Sequence, residues 1–195
     1  VAAIALGISG LFYQALSVFA FLGAVGAAFL VYGIASVGGR FSMATLLLAG
    51  VAISAFFSAI VSAIMILVPS NEALREILFW LTGGLDSRSW EHVRLAAPPI
   101  LGGSAVILTL SRDLNLLMLG DAEAKSMGVR VTAIRPALLA AASLITGVAV
   151  AVSGTIAFVG LVVPHMLRLV VGPDHRVLIP LSAVGGALFM VIADT

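Results

Sequence analysis

The 195 residues contain no cysteine. That excludes a disulfide framework, a thiolate nucleophile and any thiolate metal site. Charge is almost as scarce, with 10% of residues charged against 62% hydrophobic and a mean hydropathy of +1.22. Soluble domains carry roughly a quarter charged residues, so a soluble globular protein is excluded. The net charge of +1 decides nothing about nucleic acid, but the hydropathy argues against such a partner. Period-two alternation, which a membrane barrel needs, is missing too, because the apolar stretches run continuously. The composition reads as an all-α, polytopic helical membrane protein.

The motifs of enzymes are also missing. There is no GxSxG, HExxH or GxxxxGK[ST], and no acidic pair inside an apolar run. No catalytic residue is assigned. His92, His165 and His175 lack ligand spacing and a supporting carboxylate cluster, so no metal site is assigned either. Ion-coupled carriers show ionisable residues within their spans, whereas here only Asp194 lies near a span's end. No signal-peptide layout opens the chain. Val1 and the closing "VIADT" both fall within apolar runs, which leads us to expect an internal piece of a larger permease-like protein, incomplete at both ends.

What is present is a series of long apolar runs. About 20 such residues cross a bilayer core of about 30 Å. On that ruler residues 1–8 end one span, and Gln14 to Val37 forms the next, closed by Gly38-Gly39-Arg40. Ser42 to Val68 would be about 40 Å long and therefore tilted or protruding. Ser70, Glu72 and Glu76 make a capped, acid-first start to a short helix over 70–84. Leu74, Ile77, Leu78 and Leu81 give it one apolar face and Gly83-Gly84 stops it, so it lies on the surface with Trp80 as an aromatic anchor. Leu95 to Leu110 crosses next, begun by Pro98-Pro99. Ala137 to Val171 is too long for one crossing and must break at Ser153-Gly154-Thr155, leaving Ile156 to Val171 as a short second piece. Gly172-Pro173 ends that piece, and Val177 to Ala193 is the last crossing.

Orientation follows from the cations. Alternating sides puts Arg40, Arg112, Lys125, Arg130, Arg135, Arg168 and Arg176 on one face and only Arg75, Arg88 and Arg94 on the other. The positive-inside rule makes the richer side cytoplasmic. That separation depends on the break at Gly154. "LGAVGAAFLVYGIA" from Leu22 also echoes "LSAVGGALFMVIAD" from Leu181 in spans of opposite direction, as an inverted repeat requires. Chance similarity between small-residue helices is the other reading.

Two stretches stand out as candidates for function. In "GTIAFVGLVVPHMLRLVVGPDHR", Gly154, Gly160 and Pro164 make a short, broken helix where backbones can approach closely, with His165 and Arg168 one turn apart. A structural kink is the plain reading of these residues. In "LMLGDAEAKSMGVR", Gly120, Ala124 and Gly128 recur every four residues, so one helix face is nearly bare, with Asp121, Glu123 and Lys125 on the others. That face reads either as a docking surface or as internal packing.

Taken together, "LLLAGVAISAFFSAI", "LFWLTGGL", "LMLGDAEAKSMGV", "SGTIAFVGLVVPHMLRLVVGPDHRVLIPLSA" and "ADT" resemble the permease subunits of ATP-binding-cassette importers for iron-siderophores, haem and vitamin B12. The resemblance covers essentially the whole chain, in order. It implies a fragment of a ten-helix permease, from the end of the third helix through most of the ninth, in the inner membrane of a bacterium or archaeon. The implied partners are a second permease subunit, two cytoplasmic ATPases that hold ATP and magnesium, and a periplasmic or lipid-anchored binding protein. No cofactor is expected on this chain itself.

The resemblance also distributes roles. Residues 112–130 become the cytoplasmic coupling segment, with Gly120, Asp121, Ala124, Lys125 and Gly128 contacting the ATPase. Phe41, Ser42 and Met43 fall where the family places a cytoplasmic gate, although a plain helix start is the other reading. Gly154, Gly160, Pro164, His165 and Arg168 match the signature turn and following short helix, and 70–84 matches a short extracytoplasmic helix. Arg75, Arg88 and Arg94 are candidates for docking the binding protein. A secondary transporter and a non-transport membrane scaffold are the rival readings.

Overall fold

The structure is a computed structural model that describes residues 13–36, 43–68, 71–85 and 88–194. The side chains of residues 13–18, 43 and 76 lie outside that description. Of the candidate gate, Phe41 and Ser42 therefore fall outside the described residues, and Met43 contributes only its backbone as the first residue of a helix.

Nine helices occur among the described residues: α1 (Tyr13–Ala35), α2 (Met43–Leu67), α3 (Asn71–Thr82), α4 (Trp90–Thr109), α5 (Ser111–Leu117), α6 (Asp121–Ser126), α7 (Val131–Ser153), α8 (Val159–Val171) and α9 (His175–Asp194). By length and composition α2 (from Ala44), α7 and α9 are each apolar enough to cross a membrane, and α4 with α5 is a fourth if that pair, bent by 53°, counts as one span. Large apolar side chains such as Leu48 and Ile66 on α2 and Val184 and Leu188 on α9 are exposed along these helices. A helix apolar on every side belongs in hydrocarbon or against another protein, not in water.

The described residues fall into two units. The first comprises α1, α2, α3 and the second half of α7 as far as Thr155. Here α1 packs along α2. Gly147 of α7 lies so close to α1 that a methyl group there would come within 3.3 Å of the Phe21 Cα. Helix α3 buries Ile77 completely, against Ala73 and Trp80 of its own face and Met65 and Val68 at the end of α2. The packed strip is therefore Ala73, Ile77 and Trp80, one step round from the expected face, and Leu78 and Leu81 are exposed. Against the end of α2 a twelve-residue helix covers only a narrow stripe, and Ile77 with its i−4 and i+3 partners fills that stripe.

The second unit comprises most of α4, then α5, α6, the first half of α7, α8 and α9. Pro98 and Pro99 do not begin α4; they lie inside it, and the helix starts at Trp90. The two prolines remove the donors that would reach the Arg94 and Leu95 carbonyls, a loss that membrane helices tolerate where neighbouring groups re-satisfy them. The most extensive packing in this unit joins α8 to α9, where Gly185 lets α9 approach the side chains of Val163 and Leu167. Helix α8 starts at Val159, not at Ile156, because Phe158 takes a left-handed conformation. Its 13 residues rise about 20 Å, short of the hydrocarbon thickness.

Candidate functional site

Functional side chains and turns concentrate at two junctions, one in each unit. The first is made of backbone. Helix α7 stops at Ser153 because Gly154 adopts φ +70°, and α3 stops because Gly83 adopts φ +67°. The two stops meet: the Gly84 N–H donates to the Ser153 carbonyl at 2.8 Å, and the Thr155 N–H donates to the Trp80 carbonyl at 3.1 Å. A methyl group on Gly154 would sit 2.8 Å from the Trp80 oxygen and 3.0 Å from the Gly83 Cα. Glycine is needed there for both its conformation and its size. Two separated motifs, "LFWLTGGL" and "SGTIAF", are thus the two halves of one contact.

The rest of the expected signature turn behaves differently. Gly160 has nothing within 4 Å of where a side chain would begin, so it makes no close backbone approach. His165 and Arg168 are exposed on α8. Phe158, at φ +67° and 76% exposed, is the only non-glycine residue with positive φ among the described residues.

The second junction is made of side chains, and it begins with α6. This helix has six residues, Asp121–Ser126, opened by Gly120 at φ +117° and closed by Gly128 at φ +87°. At its end the Val129 N–H bonds to the Ala124 carbonyl and the Gly128 N–H to the Lys125 carbonyl, both at 3.0 Å. This is a Schellman closure, which calls for glycine at the left-handed position. Ala124, at 0% exposure, packs with Val129 and Val131 against Leu116, Leu117 and Ile134. The expected bare face of Gly120, Ala124 and Gly128 is therefore not an outward ridge. Ala124 points inward, and the two glycines are the turns that end the helix.

What α6 shows outward is Ala122, Glu123, Lys125 and Ser126, bordered by Met118, Leu119 and Met127 at 53, 58 and 56% exposure. Sequence reasoning passed over those three apolar residues. The available signal was their place in an otherwise polar stretch. Asp121 and Arg135 of α7 form a bidentate ion pair, with Nη1 donating to Oδ2 at 2.8 Å. Paired guanidinium–carboxylate geometry of this kind fixes orientation as well as charge, and Asp121 also suits the first turn of its helix.

From α5, Asn115 reaches the start of α9. Its Nδ2 donates to the Asp174 Oδ1 at 2.7 Å, while its Oδ1 accepts from the His175 N–H at 3.0 Å and from His175 Nδ1 at 2.7 Å. The last contact makes Nδ1 the protonated ring nitrogen. Asp174 also accepts the Arg176 N–H at 3.0 Å as the cap of α9. That backbone donor first, and the Asn115 amide second, hold the Asp174 carboxyl below its ordinary value. The stop at Gly172-Pro173 was legible in the sequence; Asp174 as the cap that follows it, and its partner 59 residues earlier, were not.

The three candidate docking arginines lie on different elements: Arg75 is exposed on α3, Arg88 precedes α4 with its guanidinium 6.0 Å from the Phe79 ring centre, and Arg94 is exposed on α4. No group of three or more His, Cys, Asp or Glu side chains suited to a metal ion occurs among the described residues.

Residues 1–195 match the model of the FecCD transport family. The cobalamin import system permease BtuC of Halobacterium salinarum is 47% identical over 176 residues, 90% of this chain and 47% of that protein. The hemin transport system permease HmuU of Yersinia pestis is 42% identical, covering 80% of this chain and 47% of its own. The Fe(3+)-citrate import permease YfmD of Bacillus subtilis is 38% identical over 91% and 52%. Among solved structures, an inward-facing ABC transporter described as of the metal-chelate type superposes with a TM-score of 0.83 at 34% identity, over 99% of this chain and 60% of that one. The chain thus spans about half the length of the curated relatives it matches.

Proposed function

The chain belongs to the FecCD transport family, and on that premise we propose that it is part of a permease subunit of an ATP-driven importer. The cargo is an iron chelate, a siderophore or haem complex, or a corrinoid, moved across the inner membrane by alternating access. ATP would be hydrolysed by two partner subunits and the cargo delivered by a binding protein. The pathway would run between this permease and a second permease subunit. This chain supplies the membrane path and no chemistry of its own. The names of its relatives support the transport class, and the membrane-length helices support a multi-pass protein.

One observation carries the coupling role: α6 is held from behind by Ala124 and the Asp121–Arg135 pair, and it faces outward with an apolar centre and a charged rim. That surface, made of Met118, Leu119 and Met127 beside Glu123, Lys125 and Arg130, has the composition of a protein interface. On this reading the segment 112–130 is cytoplasmic and the ATPase docks there. Residues 70–84 lie on the opposite side, and the gate stays assigned to Phe41, Ser42 and Met43.

The experiment uses the full-length permease expressed with its ATPase subunits. Leu119→Asp and Met127→Asp should reduce recovery of the ATPase with the permease and abolish ATP-dependent uptake of radiolabelled cyanocobalamin, haemin or ferric citrate, whichever the wild type carries. A cysteine placed at Lys125 should be labelled only from the cytoplasmic side. Uptake that follows an ion gradient and survives ATP depletion would instead establish a secondary transporter. Undiminished ATPase recovery in both variants would remove the docking role.

A further inference from the structure

Resting on the reading of α6 as the surface that receives the ATPase, we infer that Asn115 is a positioning residue. It binds α5 to the first residues of α9, so that movement imposed on α6 reaches α9 as well as α7. Helices of seven and six residues, α5 and α6, are too short to persist alone and take their place from tertiary contacts. They are wound together by the Leu119 N–H on the Leu116 carbonyl, the Gly120 N–H on the Leu117 carbonyl and the Ala124 N–H on the Gly120 carbonyl. The Asp121–Arg135 pair ties this piece to α7. Asn115 ties it to α9.

The second tie has an unusual form. The first N–H groups of a helix lack partners within it and are normally capped by the residue just before. At α9 that task is divided, because Asp174 accepts the Arg176 N–H while the His175 N–H is capped by Asn115 from another helix. The Asn115 amide uses both its ends, donating to Asp174 and accepting from the backbone and ring of His175. Helix α5 therefore cannot leave without freeing the His175 N–H and taking the Asn115 amide away from the Asp174 carboxylate. Since α9 packs along α8, with Gly185 against Val163 and Leu167, the pull on α9 is shared by that pair.

The test uses the full-length transporter with its ATPase, reconstituted in vesicles. Asn115→Asp sets two carboxylates against each other and should lower uptake of the carried radiolabelled substrate per ATP hydrolysed by about tenfold, with the ATPase still recovered in wild-type amount. The exchanged pair Asn115→Asp with Asp174→Asn again sets one amide against one carboxylate. The amide now at position 174 donates to the carboxylate at 115 once it has turned its oxygen to the Arg176 N–H, and both residue types cap helices well. It should restore most of the uptake, a rescue that lost volume or lost folding would not give. Unchanged uptake in Asn115→Asp, or no rescue by the exchange, overturns the inference. Loss of ATPase from the single variant also overturns it, since Asn115 would then act in docking.

Should Asn115→Asp fail to accumulate, the pair Asn115→Cys and Asp174→Cys decides, in a chain segment free of other cysteines. A short thiol crosslink should raise uptake above that of the reduced pair. A crosslink that stops uptake shows that the two must separate, and ends the proposal. A wild type that neither retains the ATPase nor needs ATP would instead remove the coupling reading itself.

Discussion

The two junctions hold helices together by opposite means. At Gly83, Gly84 and Gly154 the contact is backbone on backbone, and side chains matter by being absent. At Asn115, Asp121, Arg135, Asp174 and His175 it is made by side chains whose donors and acceptors match. A backbone junction has one workable geometry and no adjustable chemistry, which suits a fixed frame. A side-chain junction can be weakened, exchanged or restored, which suits a part that transmits movement. The contrast yields substitutions that should separate the two.

The largest effect belongs to Gly154→Leu. The left-handed backbone alone costs about 1–3 kcal/mol, and the new side chain would collide with the Trp80 carbonyl. Folded protein recovered in detergent should fall sharply, and no second substitution at Trp80 should rescue it because the obstacle is main chain. Rescue by Trp80→Ala would break the comparison. Arg135→Ala comes next. It leaves the part-exposed Asp121 to water without its bidentate partner and should lower thermal stability by up to about 1 kcal/mol and reduce coupled uptake. The double variant with Asp121→Ala should recover part of the stability, as a side-chain junction allows. Thermal unfolding of the purified full-length protein reads both.

Gly160→Ala sharpens the comparison from the other side. It belongs to the same sequence motif as Gly154 but has open space around it, so the protein should be unchanged or stabilised by up to about 1 kcal/mol. The smallest effect is expected from pH. Asp174 has a lowered folded-state value, so its contribution is fully present above the ordinary carboxylate value of 3.8. It is lost as pH falls through the lower folded value. Asp174→Asn should therefore flatten the acid limb of a stability–pH curve, lowering stability at neutral pH and leaving the acid end little altered. An unchanged acid limb would show that the Asn115 and Arg176 donors do not favour the charged form.

The helical class and the break after Ser153 were both legible, because hydropathy and glycine act locally. The same local logic misled at Gly120, Ala124 and Gly128. Four-residue spacing makes a bare ridge only if one helix runs through all three, and here the helix stops at Ser126. It stops because Gly128 takes the left-handed position of a Schellman closure. Pro98 and Pro99 read as a helix start but lie inside α4, a place where helices of membrane proteins tolerate proline more readily than soluble ones do.

By itself the sequence determined that this chain must be helical and buried in an apolar medium, because it has too little charge for water and too continuous an apolar pattern for strands. It also marked Gly154 and the Gly172-Pro173 pair as stops, both properties of residues and their nearest neighbours. Only the tertiary structure decided that Gly154 meets Gly83, that Ala124 faces inward and that Asn115 caps a helix 60 residues away. Periodicity records which residues share a face, whereas the element that covers that face depends on parts of the chain that no local pattern connects.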